Sequence, residues 1–163
     1  MPPKVNYFTW RATIGRIPLK NKLIRRRIPI TNQLCSRCEA QEETTDHIIC
    51  GYTSSKSVWK NVLIWKKLPA ETEFQGCREA IEYANGLTGS NDWKKIISVV
   101  VQTTMWKIWK SRNEKEFESN IRNSSEVVEK IMADNFIWLK RRSKFRDIVW
   151  ERWTDFNIRD IVR

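Results

Sequence analysis

A chain of 163 residues that is 40% hydrophobic and 30% charged has the size and composition of one globular domain, which excludes a disordered or fibrous polypeptide. Its formal net charge of +11 is unevenly placed: residues 1–38 hold nine Lys/Arg and no Asp or Glu, a balance that suits a polyanionic partner. No apolar run approaches the roughly 20 residues of a membrane span, and the N-terminus lacks a signal-peptide core, so the expectation is a soluble intracellular protein with reduced cysteines and no membrane partner.

Glycine and proline are scarce, at five each, and strict polar/apolar alternation is rare, which predicts an all-α chain. A first helix is expected over about Asn6 to Gly15, with Phe8 and Ile14 inward. Pro18 and Pro29 bracket a short basic helix. After a Cys/His-rich segment, "SSKSVWKNVLIWKKL" reads as a helix capped by Ser54 or Ser55, with Val58, Val62 and Trp65 at three-to-four spacing. "CREAIEYANGL" reads as a short helix closed by Gly86 or Gly89. From Asn91 a long helix sets Trp93, Ile96, Ile97, Val100, Thr104 and Ile108 on one stripe. Asn123 and Glu126 form a capping box for a last long helix, expected to run to about Trp153. Its face, Val128, Ile131, Trp138, Phe145, Val149 and Trp153, is interrupted by Asn135 and Arg142. The tryptophans at 93, 106, 109, 138, 150 and 153 fall at core spacings rather than as base-stacking platforms.

The segment "CSRCEAQEETTDHIIC" holds three of the four cysteines and the one histidine. Zinc takes four soft or borderline donors in a tetrahedron, and a C-x2-C turn presents two thiolates from one knuckle. Cys35 and Cys38 have that spacing, and His47 and Cys50, three apart, share a face of an α-helix. The pattern C-x2-C-x8-H-x2-C thus predicts one structural Zn²⁺ on Cys35, Cys38, His47 and Cys50, with Cys77 spare. With the histidine assigned to metal, no Ser/His or Cys/His pair remains, and no Gly-rich phosphate loop is present. A non-enzyme without a small-molecule substrate is expected.

The same residues resemble the zinc-binding region at the C-terminal end of plant LINE-type (non-LTR retrotransposon) reverse transcriptases. "FTWRATIGRIPLKNKLIRRRI" resembles that family's opening, Cys35, Cys38 and His47 fall at its first three zinc ligands, and "SVW" ends in Trp59. Ile108, Trp109, Arg112, Asn113 and Phe117 resemble a later Ile-Trp-x-x-Arg-Asn-x-x-x-Phe signature. The family spaces its last ligand as H-x4-C, whereas position 52 here is Tyr52 and the cysteine stands at Cys50. Either the knuckle tightens into H-x2-C or zinc binding is weakened or lost. The polymerase domain of such elements is absent from these residues.

The resemblance implies an all-α domain over 1–163: a basic helical segment (1–33), a CCHC-type knuckle (34–52) and a long-helix bundle (53–163). It also implies binding to RNA or DNA with little sequence preference. Lys20, Lys22, Arg25, Arg26 and Arg27 are the first candidates for phosphate contacts. Lys140, Arg141, Arg142 and Lys144, with Arg146, are the second. A protein partner or homodimer, served by the abundant aromatic residues, is the rival reading. Nuclear location is favoured over cytoplasmic by charge and ancestry.

Overall fold

Four of the helices that the sequence predicts pack round one long helix in the computed structural model, which describes residues 1–118 and 121–156. The elements are α1 (Pro3–Thr13), α2 (Lys20–Arg25), a π-turn (His47–Gly51), α3 (Thr53–Trp65), α4 (Cys77–Gly86), α5 (Asn91–Glu118), α6 (Ser124–Arg142) and α7 (Trp150–Asp155). Among the described residues there is no strand, only an isolated bridge between Leu34 and Glu42. No described helix is long and apolar enough to cross a membrane.

The 28-residue α5 is the axis of the fold, about 42 Å long at the α-helical rise. Its stripe behaves as its period dictates: Ile96, Ile97, Val100, Thr104 and Ile108 are buried and Trp93 half-buried. Against it pack α1, α3, α4, α6 and the π-turn. Phe8 of α1 meets Trp106 edge-on and stacks on Trp109, with ring centroids 5.2 and 6.0 Å apart. Of the six tryptophans expected in the core, Trp109 and Trp153 are buried and Trp93, Trp106 and Trp138 half-buried, whereas Trp150 is exposed.

Three local expectations are corrected. Ile14 faces solvent because α1 stops one residue earlier; Gly15, at φ 63°, turns the chain there, with Arg16 N–H reaching back to Arg11 C=O. The start of α3 has Tyr52 in the capping position and no side-chain cap. Ser55 is used elsewhere, donating its hydroxyl proton to Ile48 C=O at 2.6 Å. The last helix does not reach Trp153. Ser143 ends α6, its hydroxyl donating to Leu139 C=O and accepting from Phe145 N–H, and α7 begins seven residues later. That break leaves Val149 exposed. Asn135, which interrupts the apolar pattern, is nevertheless fully buried: it accepts from the Thr103 hydroxyl at 3.1 Å and donates to Ile131 C=O. The capping box at Asn123 and Glu126 forms as the sequence predicts.

Candidate metal centre and basic face

Cys35 and Cys38 lie on a tight knuckle closed by Glu39, which adopts a left-handed backbone (φ 54°) and returns its N–H to Cys35 C=O. Cys35 N–H to Gln41 C=O and Glu43 N–H to Gln33 C=O zip the two arms together. Arg37 N–H points at Cys35 Sγ from 3.4 Å. Backbone N–H groups of Ala40 and Gln41 likewise face Cys38 and draw its thiol below the ordinary value, favouring the thiolate. Burial pushes the Cys35 thiol up, against the N–H groups of Arg37 and Cys38.

His47 enters from the π-turn, held by its N–H to Thr44 Oγ1, with Nε2 at 3.4 Å from Cys38 Sγ. Burial lowers its pKa, so the imidazole stays neutral and ligand-competent. The donor atoms of Cys35, Cys38 and His47 all lie within 4.8 Å of one another. Zn–S bonds of about 2.3 Å and a Zn–N bond of about 2.0 Å place tetrahedral donors about 3.5–4 Å apart, so this set fits zinc. N–H groups directed at sulfur are also what a bound thiolate requires.

Cys50 is not among them. An α-helix would bring residue i+3 back toward His47, but the chain here makes a π-turn, in which Tyr52 N–H bonds to His47 C=O at 2.7 Å. That wider i→i+5 closure stacks positions 51 and 52 over His47 and swings Cys50 into the core. Cys50 is 2% exposed and lies beside buried Cys77, whose thiol is pushed up by that neighbour and by burial. The Tyr52 ring sits 6.3 Å from the His47 ring, edge-on.

The metal loop is braced by α3, α4 and α5. Trp59 Nε1 donates to Ile49 C=O at 2.8 Å, which with Ser55 satisfies two π-turn carbonyls. Asp46 Oδ1 accepts Cys77 N–H at the start of α4, and a side chain at Gly76 would lie 2.8 Å from the Asp46 carboxylate. The end of α5 contributes most. Buried Arg112 grips buried Glu43 with two nitrogens, Lys115 Nζ donates to Ser36 C=O, and Ser111 Oγ accepts from Arg37. Arg112 also donates to Asn113 Oδ1. The Ile-Trp-x-x-Arg-Asn run is therefore a clamp on the loop, although its last member, Phe117, is 77% exposed.

Comparison with known families places this geometry. Residues 1–59 match the family described as zinc-binding in reverse transcriptase. The match covers α1, α2, the knuckle, the π-turn and the first half of α3, to Trp59, which holds the turn. Over those residues the chain is similar to the zinc-binding region of reverse transcriptases, and α4 to α7 lie beyond the match. No match emerges among curated proteins or solved structures.

The basic candidates of this region divide. Arg25, Arg26 and Arg27 are exposed at the end of α2, and Lys22 is half-buried. Arg16, Lys22, Arg25 and Arg26 line a cleft of about 280 Å³ that no acidic residue borders. Lys20 is withdrawn from this set: it bonds to Leu34 C=O and pairs with Glu116 at 3.6 Å. Composition missed Arg16 as a member of the cleft. On the second patch Lys140, Arg141 and Arg142 are exposed, but Lys144 pairs with Asp92 at 2.6 Å.

Proposed function

We propose that this chain is a non-catalytic nucleic-acid-binding domain derived from a LINE-type reverse transcriptase, gripping RNA or DNA through phosphate contacts with little sequence preference. The observation that carries the reading is the acid-free cleft of Arg16, Lys22, Arg25 and Arg26, with Arg27 beside it. Phosphate contacts need positive charge and little geometry, and here four cations converge without a competing carboxylate. Arg27 adds a second argument. It closes α2 in a left-handed conformation (φ 60°), with Ile28 N–H bonded to Leu23 C=O, a place glycine occupies at least cost. An arginine there keeps a third charge at the tip.

Helix α1 also offers exposed rings for stacking. Trp10, 54% exposed, and Tyr7 stand 5.9 Å apart on α1, and Arg11 lies over the Tyr7 ring. Exposed rings beside cations suit single strands, whose bases stack on any aromatic face. Zinc's part is to hold the knuckle folded behind this surface.

The test is a binding titration with single- and double-stranded RNA and DNA at several salt concentrations. Affinity is expected to fall steeply with salt, and each phosphate contact removed flattens the log–log slope by about 0.7–0.9. Arg25→Glu/Arg26→Glu/Arg27→Glu is expected to reduce affinity at least about tenfold while far-UV circular dichroism is unchanged. Binding that ignores both salt and these charges would favour the rival protein-interaction module, for which exposed Phe117 and Ile121 speak.

A further inference from the structure

We propose that the zinc centre is a three-donor site, held by Cys35, Cys38 and His47 alone, with its fourth coordination position open to a ligand from solvent. The spacing of His47 and Cys50 suggests a closed four-donor knuckle, and two independent observations oppose it. Cys50 is turned into the core, where its thiol meets Cys77. The backbone explains why: the hydrogen bond from Tyr52 N–H to His47 C=O makes the turn a π-turn, so the residues that overlie His47 are 51 and 52. A Cβ at Gly51 would lie 3.5 Å from His47 Nδ1, and the Tyr52 ring packs against the imidazole. The residues beside the imidazole are therefore Gly51 and Tyr52, and the half-buried side chain there is a phenol rather than a thiol.

Rotating Cys50 back would require breaking the π-turn and the bonds that α3 makes to it. Ser55 holds Ile48 C=O and Trp59 holds Ile49 C=O, the carbonyls of the two residues that precede Cys50. The turn is locked in the register that excludes Cys50. Solvent, by contrast, reaches the centre, since Cys38, His47 and Tyr52 are each only half-buried. Arg37 lies over the outer face of the Tyr52 ring at 5.3 Å and keeps that ring in place. With two thiolates and a neutral imidazole the donor set balances the charge of Zn²⁺, whereas a third thiolate would leave the centre anionic. A three-donor centre with an open position accepts water at rest and exchanges it for a small nitrogen or sulfur donor.

The experiment is X-ray absorption at the zinc edge on the zinc-loaded full chain, with Cys50→Ser and Tyr52→Cys alongside, and visible spectra of the Co²⁺-substituted forms during an imidazole titration. Two sulfur scatterers are expected in the unmodified chain and in Cys50→Ser, and three in Tyr52→Cys. Zinc affinity, from chelator competition, is expected to be unchanged in Cys50→Ser and at least about tenfold tighter in Tyr52→Cys. Imidazole is expected to shift the Co²⁺ spectrum of the unmodified chain and not that of Tyr52→Cys. Three sulfurs in the unmodified chain would overturn the proposal, as would a Co²⁺ spectrum indifferent to imidazole or a chain that takes up no metal. Because Cys50→Ser disturbs a buried thiol pair, the spectra of the unmodified chain and of the half-exposed Tyr52→Cys decide the matter even if Cys50→Ser does not fold.

Discussion

Two buried cations mark two ends of this molecule, and the chain accommodates them in opposite ways. Arg112, near the end of α5, is buried in an ion pair with a fully buried carboxylate, Glu43, from the zinc loop 69 residues away in sequence. Lys20 N–H adds a third donor to the same carboxylate. Lys66, at the end of α3, is 1% exposed and has no oxygen partner among the described residues. Its Nζ lies 3.2, 3.8 and 3.6 Å from the ring centroids of Trp65, Trp153 and Phe156. Three π faces and the carbonyl end of α3 favour the ammonium there, while burial drives its pKa well below that of an ordinary lysine. The first arrangement ties the loop that carries the Cys35/Cys38/His47 group to the axis of the fold, and a directional, bidentate pair fixes that loop's register. The second fastens α7 to α3 through ring area and needs no register, only enclosure.

The sharpest way to break this comparison is to remove one partner of the ion pair. Arg112→Ala leaves the Glu43 carboxylate buried without its counter-charge, which is expected to cost about 3–5 kcal/mol of stability in denaturant unfolding. Zinc affinity is expected to fall with it, because the loop carrying Cys35 and Cys38 loses its clamp. Arg112→Lys is expected to rescue little, since an ammonium cannot reproduce the two-pronged grip on both carboxylate oxygens. A variant as stable as the parent would show that the pair sets no part of the loop.

Lys66 predicts the opposite sign. Lys66→Met keeps a flexible chain of similar volume among the same rings and removes the buried charge, so it is expected to stabilise the protein at neutral pH by about 1–3 kcal/mol. The pH dependence separates causes. A folded-state pKa depressed below the unfolded value of about 10.4 means that the unfolded chain binds the proton more tightly. Stability of the parent must then rise as pH climbs from the folded pKa toward about 10.4, and be lost again as pH falls through the folded pKa. In Lys66→Met that rise is absent. Destabilisation by Lys66→Met at pH 7 would instead mean that the aromatic cage outweighs the cost of burial.

What the sequence disclosed about these two regions follows from the range of the interactions. The α5 stripe, the knuckle Cys35/Cys38 and the box Asn123/Glu126 depend on residues within one or two turns, and pattern and spacing suffice for them. Cys50 stands apart from the Cys35/Cys38/His47 group because its place turns on the pitch of a single turn: an α-turn and a π-turn send the third residue after His47 to different faces, and the residues that hold the turn, Ser55 and Trp59, lie beyond the motif. Asn135 looked like a defect in an apolar face because its partner, Thr103, is on another helix. The partner of Arg112 and the burial of Lys66 are not legible for the same reason. A lone charge in a helix reads as solvated until tertiary structure supplies Glu43 or a cage of rings.

The smallest effect tests whether local capping matters once tertiary braces exist. Asn123 accepts Glu126 N–H at 2.9 Å, and the Glu126 carboxylate accepts Asn123 N–H at 3.2 Å, so α6 begins with both bonds of a capping box. The start of α3 has no side-chain cap. There the π-turn and the buried Ser55 bond fix the chain instead. Asn123→Ala is therefore expected to cost about 1 kcal/mol and to lower Tm by about 2–4 °C. Glu126→Ala is expected to cost less, and the double variant less than the sum of the two, because each bond positions the partner of the other. Additive losses would mean that the two bonds act separately. In that case the helix would owe its start to the chain entering from Ile121 and Arg122, with Arg122 paired to Glu114, rather than to the box.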